Sequence, residues 1–163
     1  MSAPAGEITA PASRVPGKLL LVFAFLLGAD QLSKYFVRAW MHPLETVDLT
    51  PVLKLQYVRN RGIAFGLLDG YASLIITIGI IVVVVIVMAT LLVRDRDGVT
   101  WPLALLLAGS SGNLIDRLAF GSVTDFIRLP HWPAFNLADI FIVSGVALLL
   151  YHLFLRDGAQ GEG

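Results

Sequence analysis

The sequence contains no cysteine, which excludes disulfides, thiolate metal sites and a cysteine nucleophile. Charge is scarce as well. Lys, Arg, Asp and Glu make up 15% of the 163 residues, against about 25% in soluble domains. The 12 basic and 12 acidic residues cancel, so no nucleic-acid partner is indicated. The three histidines, His42, His131 and His152, are too scattered to read as a metal-ligand cluster. No metal site and no cofactor is expected. What the chain has in abundance is apolar side chains: 56% of its residues are hydrophobic and its mean hydropathy is +0.77, which points to a membrane protein.

Four apolar segments follow an Ala- and Pro-rich tail that reads as disordered, residues 1–17. They cover about 18–38, 71–93, 101–120 and 138–155, each near the ~20 residues that cross a ~30 Å hydrocarbon core. The second, YASLIITIGIIVVVVIVMATLLV, holds no charge. Thr100 before Trp101 and Pro102 reads as an N-cap with proline in the first turn, opening the third. The first segment is expected to be an uncleaved span: FLLGAD places Asp30 where a lipoprotein processing box needs cysteine, and no small-x-small cleavage pattern appears. Residues 156–163 form a second tail. The fold expected is an all-α membrane protein with four transmembrane helices and a small extramembrane β-sheet on one side. Its strands are suggested by alternation in LKLQY (53–57), within an extramembrane segment at 44–69, and in VTDFIRL (123–129).

Four spans place the end of the first, the start of the second, the end of the third and the start of the fourth on one side. Asp30 lies 12 residues beyond Lys18, about 18 Å along a helix, in the half of the bilayer nearer that side. Asn113, Asp116 and Arg117 end the third span, Asp125 follows it, Asn136 and Asp139 begin the fourth, and Asn60 and Gly62 lie in the first excursion. Unrelated polar substitutions have no reason to share a leaflet, so the pattern marks a site. Charge counting does not orient it. Arg14, Lys18, Arg94, Arg96 and Arg156 flank one face, and Lys34, Arg38, Lys54, Arg59, Arg61, Arg117 and Arg128 belong to the other, with Lys34 and Arg117 candidates for burial in the site.

Asp125 and Asp139 bracket the loop that leaves and re-enters the membrane, so their carboxylates can face each other. Two close carboxylates in a low-dielectric setting share a proton. The ionised member can then activate water and the neutral one protonate a leaving amine, which is peptide hydrolysis without a metal. The same spacing fits a second reading, in which Asp139 caps the fourth helix and Asp125 is an exposed loop acid. Asp116 with Arg117 reads as a structural pair, Asn113 and Asn136 as interhelical hydrogen-bonding or site-lining groups. Asp30 with Lys34 reads either as an i, i+4 ion pair or as a support for the site. Gly109 and Gly112 allow close helix packing, and Trp40, Tyr71 and Trp132 suit an interfacial aromatic belt.

At these residues the sequence resembles the lipoprotein signal peptidases, the type II signal peptidases of bacteria. DQLSK (30–34), RNRGIAFG (59–66), GNLIDRL (112–118), VTDFI (123–127) and FNLADIFI (135–142) match the family's ordered blocks, and the resemblance runs from about 18 to 155. Arg61 departs slightly, standing where small or polar residues are common. The resemblance implies a four-helix inner-membrane aspartyl endopeptidase with both termini cytoplasmic and its active site near the outer, periplasmic face. Asp125 and Asp139 would be the catalytic dyad, with Asp30, Asn60, Gly62, Asn113, Asp116, Arg117 and Asn136 supporting the site or holding substrate. The implied substrate is a lipid-modified prolipoprotein, cut before its diacylglyceryl cysteine among membrane lipids, with globomycin-type peptides as inhibitors. A proton- or ion-coupled transporter and a non-catalytic scaffold are the competing classes. The first would need acids reaching the other face, and the second would not need them clustered.

Overall fold

The structure is a computed structural model and describes residues 17–62, 71–92 and 99–156. The helices are α1 (Gly17–Trp40), α2 (Ala72–Leu92), α3 (Thr100–Phe120) and α4 (Leu137–Tyr151), the last continuing into a π-helical turn, His152–Arg156. Four helices, with α4 counted to Phe154, are long and apolar enough to cross a membrane. Most of both tails and of the turn at 94–100, and the end of the first excursion at 63–69, lie outside the described residues. One detail differs from the sequence reading: Thr100 is the first helical residue of α3 and not its cap. Val99 precedes it in αR geometry with no side-chain capping bond. Pro102 sits in the first turn, where its missing N–H leaves no helical bond unmade.

Packing fixes the directions of the helices. Leu19 near the start of α1 clusters with Leu103 and Ala104 near the start of α3, so these two helices run the same way. Gly109 of α3 faces Ala138 and Ile142 near the start of α4, while Gly145, further along α4, faces Pro102 and Leu106 near the start of α3; these two run antiparallel. The contacts are made by small residues: Ala104, Ala108 and Ala138 are wholly buried. In a bilayer, where apolar surface is already solvated by lipid, close approach of backbones is what draws helices together. The outward faces carry exposed Ile81, Val85 and Leu92 on α2 and Leu21 and Phe25 on α1, a lipid-facing surface rather than a soluble one.

Three antiparallel strands, β1 (Thr46–Asp48), β2 (Lys54–Asn60) and β3 (Val123–Arg128), stand in the order β1-β2-β3. The expected strand at LKLQY extends through Asn60, with a register irregularity between Leu55 and Val58. Because β2 follows α1 and β3 follows α3, their pairing gathers the ends of both helices at one end of the molecule. Val37, Tyr57 and Phe126 are buried together and pin the sheet to α1, with Leu137 of α4 packed alongside. Gly121, at φ 66, ends α3 in a left-handed turn and donates its N–H to the Arg117 carbonyl, which lets β3 start two residues later.

A Cβ on Gly109 would collide with the Ala138 carbonyl and the Ile142 side chain. Gly109→Ala is expected to cost about 1–3 kcal/mol through forced separation of α3 and α4. Gly28→Ala, where a Cβ would meet nothing within 4 Å, is expected to leave stability unchanged or slightly raised. Thermal unfolding of both variants in detergent checks the contrast.

Candidate active site

One face of α1 is polar in the middle of an apolar helix. Asp30, Lys34 and Arg38 recur every four residues and so share a face, with Gln31 beside them. Asp30 and Lys34 are completely buried and pair at 2.9 Å. The pair also reaches other helices. Asp30 Oδ1 accepts the Ala138 N–H of α4 at 3.0 Å, and Lys34 Nζ donates to Asn113 Oδ1 of α3 at 2.9 Å. Gly112 makes room for the Asp30 carboxylate, which a Cβ there would overlap. The structure shows the i, i+4 ion pair, and the same two side chains tie α1 to α3 and α4.

Asp116 is a second buried anchor. It accepts the Thr124 N–H of β3 at 2.8 Å, faces Arg38 of α1 at 3.4 Å and lies 3.9 Å from Lys34. It joins α1, α3 and β3, as the structural reading of the acid expects, and is not among the cavity-lining residues. Arg38 also donates to Thr124 Oγ1 at 3.0 Å and lies over the Phe120 ring at 4.3 Å. Its role was hidden in the sequence by its place at the helix end, where a basic residue suits the dipole regardless of partners.

Asp125 on β3 is 2% exposed, so it is not a loop acid. Asn136 Nδ2 donates to its Oδ1 at 2.6 Å and Asn60 Nδ2 to its Oδ2 at 3.0 Å. Burial, more than anything else, raises its pKa to about 7; the nearby Asp139 charge adds to the rise, and the Asn60 and Asn136 bonds and Lys34 oppose it. Asp139 is partly exposed and sits at the third position of α4 in a capping box: Asn136 Oδ1 accepts the Asp139 N–H at 3.2 Å, and Asp139 Oδ2 accepts the Asn136 N–H at 3.1 Å. Its other oxygen accepts Asn113 Nδ2 at 2.8 Å. The capping reading of Asp139 is thus correct, and it does not displace the other, because both carboxyls line one cavity.

That cavity has a volume of about 470 Å³, with Asn60, Asn113 and Arg117 on its polar side and Phe135, Ile140 and Val143 among its apolar walls. Trp132, Pro133 and Ala134 also line it; no chemistry-bearing pattern in the sequence distinguishes this stretch. Arg117 donates to the Gly62 carbonyl at 3.2 Å and to the Asn113 carbonyl at 3.4 Å, and its Nε is buried without a hydrogen-bond partner among the described residues. Gly62 is buried and donates its N–H to Asn60 Oδ1 at 3.0 Å, which turns the Asn60 NH2 toward Asp125. Arg61 between them is exposed, so its departure from the family pattern leaves these contacts intact. The structure brings Asp30, Asn60, Gly62, Asn113, Asp116, Arg117, Asp125, Asn136 and Asp139 into one network. Within it Lys34, Arg38 and Arg117 face Asp30, Asp116, Asp125 and Asp139.

A serpentine of four helices long and apolar enough to cross a membrane, whose polar groups converge beneath a small sheet, defines a polytopic membrane protein with a built site. A family model described as signal peptidase (SPase) II matches residues 22–155, and the chain belongs to that family. A lipoprotein signal peptidase of Moorella thermoacetica is 44% identical over 145 residues, covering 88% of this chain and 97% of the relative. One of Caldanaerobacter subterraneus subsp. tengcongensis is 36% identical, over 86% and 99%. A solved bacterial membrane enzyme superposes with a TM-score of 0.83 at 30% identity, over 90% of this chain and 93% of that one. A second reaches 0.78 at 29%, over 90% and 98%.

Two outcomes follow from the electrostatics. Asp116→Ala leaves the buried Thr124 N–H without its acceptor and removes the carboxylate that faces Arg38, and is expected to cost about 1–3 kcal/mol, read as a fall in unfolding temperature. For Asp125 the folded pKa of about 7 stands above its ordinary 3.8, so the folded state holds that proton more tightly. Its contribution to wild-type stability therefore falls as pH rises from about 4 to about 7. Asp125→Asn lacks that fall, and its unfolding temperature relative to wild type should rise between pH 5 and pH 8.

Proposed function

We propose that this chain is an aspartyl endopeptidase of the membrane that removes signal peptides from diacylglyceryl-modified prolipoproteins, cleaving on the N-terminal side of the lipidated cysteine. The observation that carries the reading is the unequal pair of carboxyls on one cavity: Asp125 buried with its pKa raised to about 7, Asp139 partly exposed and held by donors on both oxygens. Environments that differ in this way divide acid and base roles between like groups. Asp139 takes a proton from water as the water oxygen attacks the scissile carbonyl carbon. Asp125 supplies its proton to the developing oxyanion; Asp139 then passes the proton it took from water to the amide nitrogen, the C–N bond breaks, and a hydroxyl proton of the intermediate returns to Asp125 as the new carboxyl forms. One water is consumed, and the products are a carboxyl and an amine. Asn60, Asn113 and Asn136 hold the carboxyls in place, and Arg117 faces the same space with cationic donors.

The relatives named above as lipoprotein signal peptidases support the substrate class, and the cavity fits it. Its polar side suits an extended peptide backbone, while Phe135, Ile140 and Val143 suit the acyl chains or the apolar signal helix, which also contacts membrane lipid. A globomycin-type lipopeptide would occupy the same space. In this reading residues 18–155 form the peptidase unit in the bacterial inner membrane, residues 1–17 and 156–163 are cytoplasmic tails, and the sheet end faces the periplasm.

The test is cleavage of a diacylglyceryl-modified precursor peptide by purified protein. Asp125→Asn and Asp139→Asn are each expected to lose at least about a hundredfold in kcat while remaining folded; normal turnover by either rejects the dyad. Activity should decline as pH rises past about 7, where Asp125 loses its proton. EDTA should leave the rate unchanged, and strong inhibition by it would point to a metal-dependent route.

A further inference from the structure

Among the described residues Lys34 is the largest wholly buried side chain, yet it does not line the cavity and has no part in the chemistry above. Its ammonium is directed inward: Nζ lies 2.9 Å from Asp30 Oδ2, 2.9 Å from Asn113 Oδ1 and 3.9 Å from Asp116 Oδ2. An ammonium has donors only. The Asn113 carboxamide can meet it only with its oxygen, and that places the NH2 on the opposite side, 2.8 Å from Asp139 Oδ1. Asn136 Nδ2 reinforces this orientation by donating to the same Asn113 oxygen at 3.1 Å. Rotating the amide by half a turn would set NH2 against ammonium and oxygen against carboxylate, losing all three bonds together.

We propose that Lys34 is a positioning residue for Asp139, acting through Asn113: it locks the carboxamide so that its NH2 faces the carboxylate, and polarises it into a stronger donor. The inference rests on the peptidase reading. A charged group bonded to an amide oxygen withdraws electron density from the amide nitrogen, and hydrogen bonds in series strengthen one another where water is absent. Asp30 has the complementary task of holding the ammonium in place, and its second oxygen ties that point to the start of α4 through Ala138, the helix that carries Asp139. The lysine and the carboxylate are therefore held in register by two routes, one through Asn113 and one through the Asp30–Ala138 bond.

The test is steady-state cleavage of the lipidated precursor peptide by full-length protein in detergent. The variants are Lys34→Met and the charge-balanced Asp30→Asn/Lys34→Met, in which the carboxamide oxygen introduced by Asp30→Asn can still accept the Ala138 N–H. Each change is also made in an Asn113→Leu background, and unfolding temperatures are recorded alongside. The expected result for the charge-balanced variant is a fall in kcat of about tenfold to a hundredfold, with KM within about twofold. In the Asn113→Leu background the same change should lower kcat by no more than about threefold further, because the route it acts through is already gone. Undiminished kcat in folded protein, or full multiplication of the two losses, would overturn the proposal. Failure of both lysine variants to give folded protein would overturn it too, leaving Lys34 a scaffold role alone. An Asp125→Asn control that cleaves at the wild-type rate would instead defeat the peptidase reading itself.

Discussion

Charge placed out of contact with water has to be compensated, and most of what is specific in this structure follows from how that is done. Asp30, Lys34 and Arg38 of α1 are not free to face lipid, where an unpaired carboxylate or ammonium costs several kcal/mol. They face α3 and α4 instead, and each charge is matched by an opposite charge or a hydrogen bond from another element. Asp30 meets Lys34 and the α4 backbone, Asp116 meets Arg38 and the β3 backbone, and Asn113 bridges Lys34 to Asp139. Apolar helix packing alone would leave the helices free to slide, since lipid and leucine are equivalent solvents for one another. The directional bonds fix the register, and small residues at Gly109, Gly112 and Ala138 allow the approach that makes those bonds possible.

The same network makes two like groups unlike. Asp125 is enclosed by β3 and two carboxamides, whereas Asp139 belongs to the first turn of a helix whose N–H groups point at it. Each carboxyl is positioned by asparagines whose own orientation is fixed by donor-only neighbours: a backbone N–H for Asn60 and Asn136, an ammonium for Asn113. Carboxamides are suited to this work because they carry a donor and an acceptor at opposite corners and no charge of their own. The site is consequently specified from behind, by groups that never reach the cavity, as well as by those that line it.

The helix and strand segments were legible in the sequence because hydropathy and alternation report them directly. The uncharged run that became α2 needed only its length, and LKLQY needed only its period of two. Thr100 was less legible: a threonine before a tryptophan–proline pair looks like a cap, yet the helix starts on it, since a helix end needs no side-chain acceptor when its first turn is otherwise accommodated. The collection of acids at one end was legible from span counting. That Asp139 would serve the α4 cap and the cavity together was not, because a capping box requires knowing that Asn136 turns its side chain forward, and spacing allows that without demanding it. Arg38 was obscured for a related reason: at a helix end a polar residue fits lipid headgroups, dipole or buried partner equally well.

By itself the sequence determined how many segments are long and apolar enough to cross a membrane, which two stretches carry the strand period (the third strand, Thr46–Asp48, was not legible in it), and that its embedded polar residues keep to one side. These are properties of length, period and order along the chain, and local physics reads them. Only the tertiary structure decided which donor meets which carboxylate, and hence why Asp125 holds its proton to about pH 7. Burial and partnership depend on residues brought together from as far apart as Asp30 and Ala138, and no window along the chain contains both.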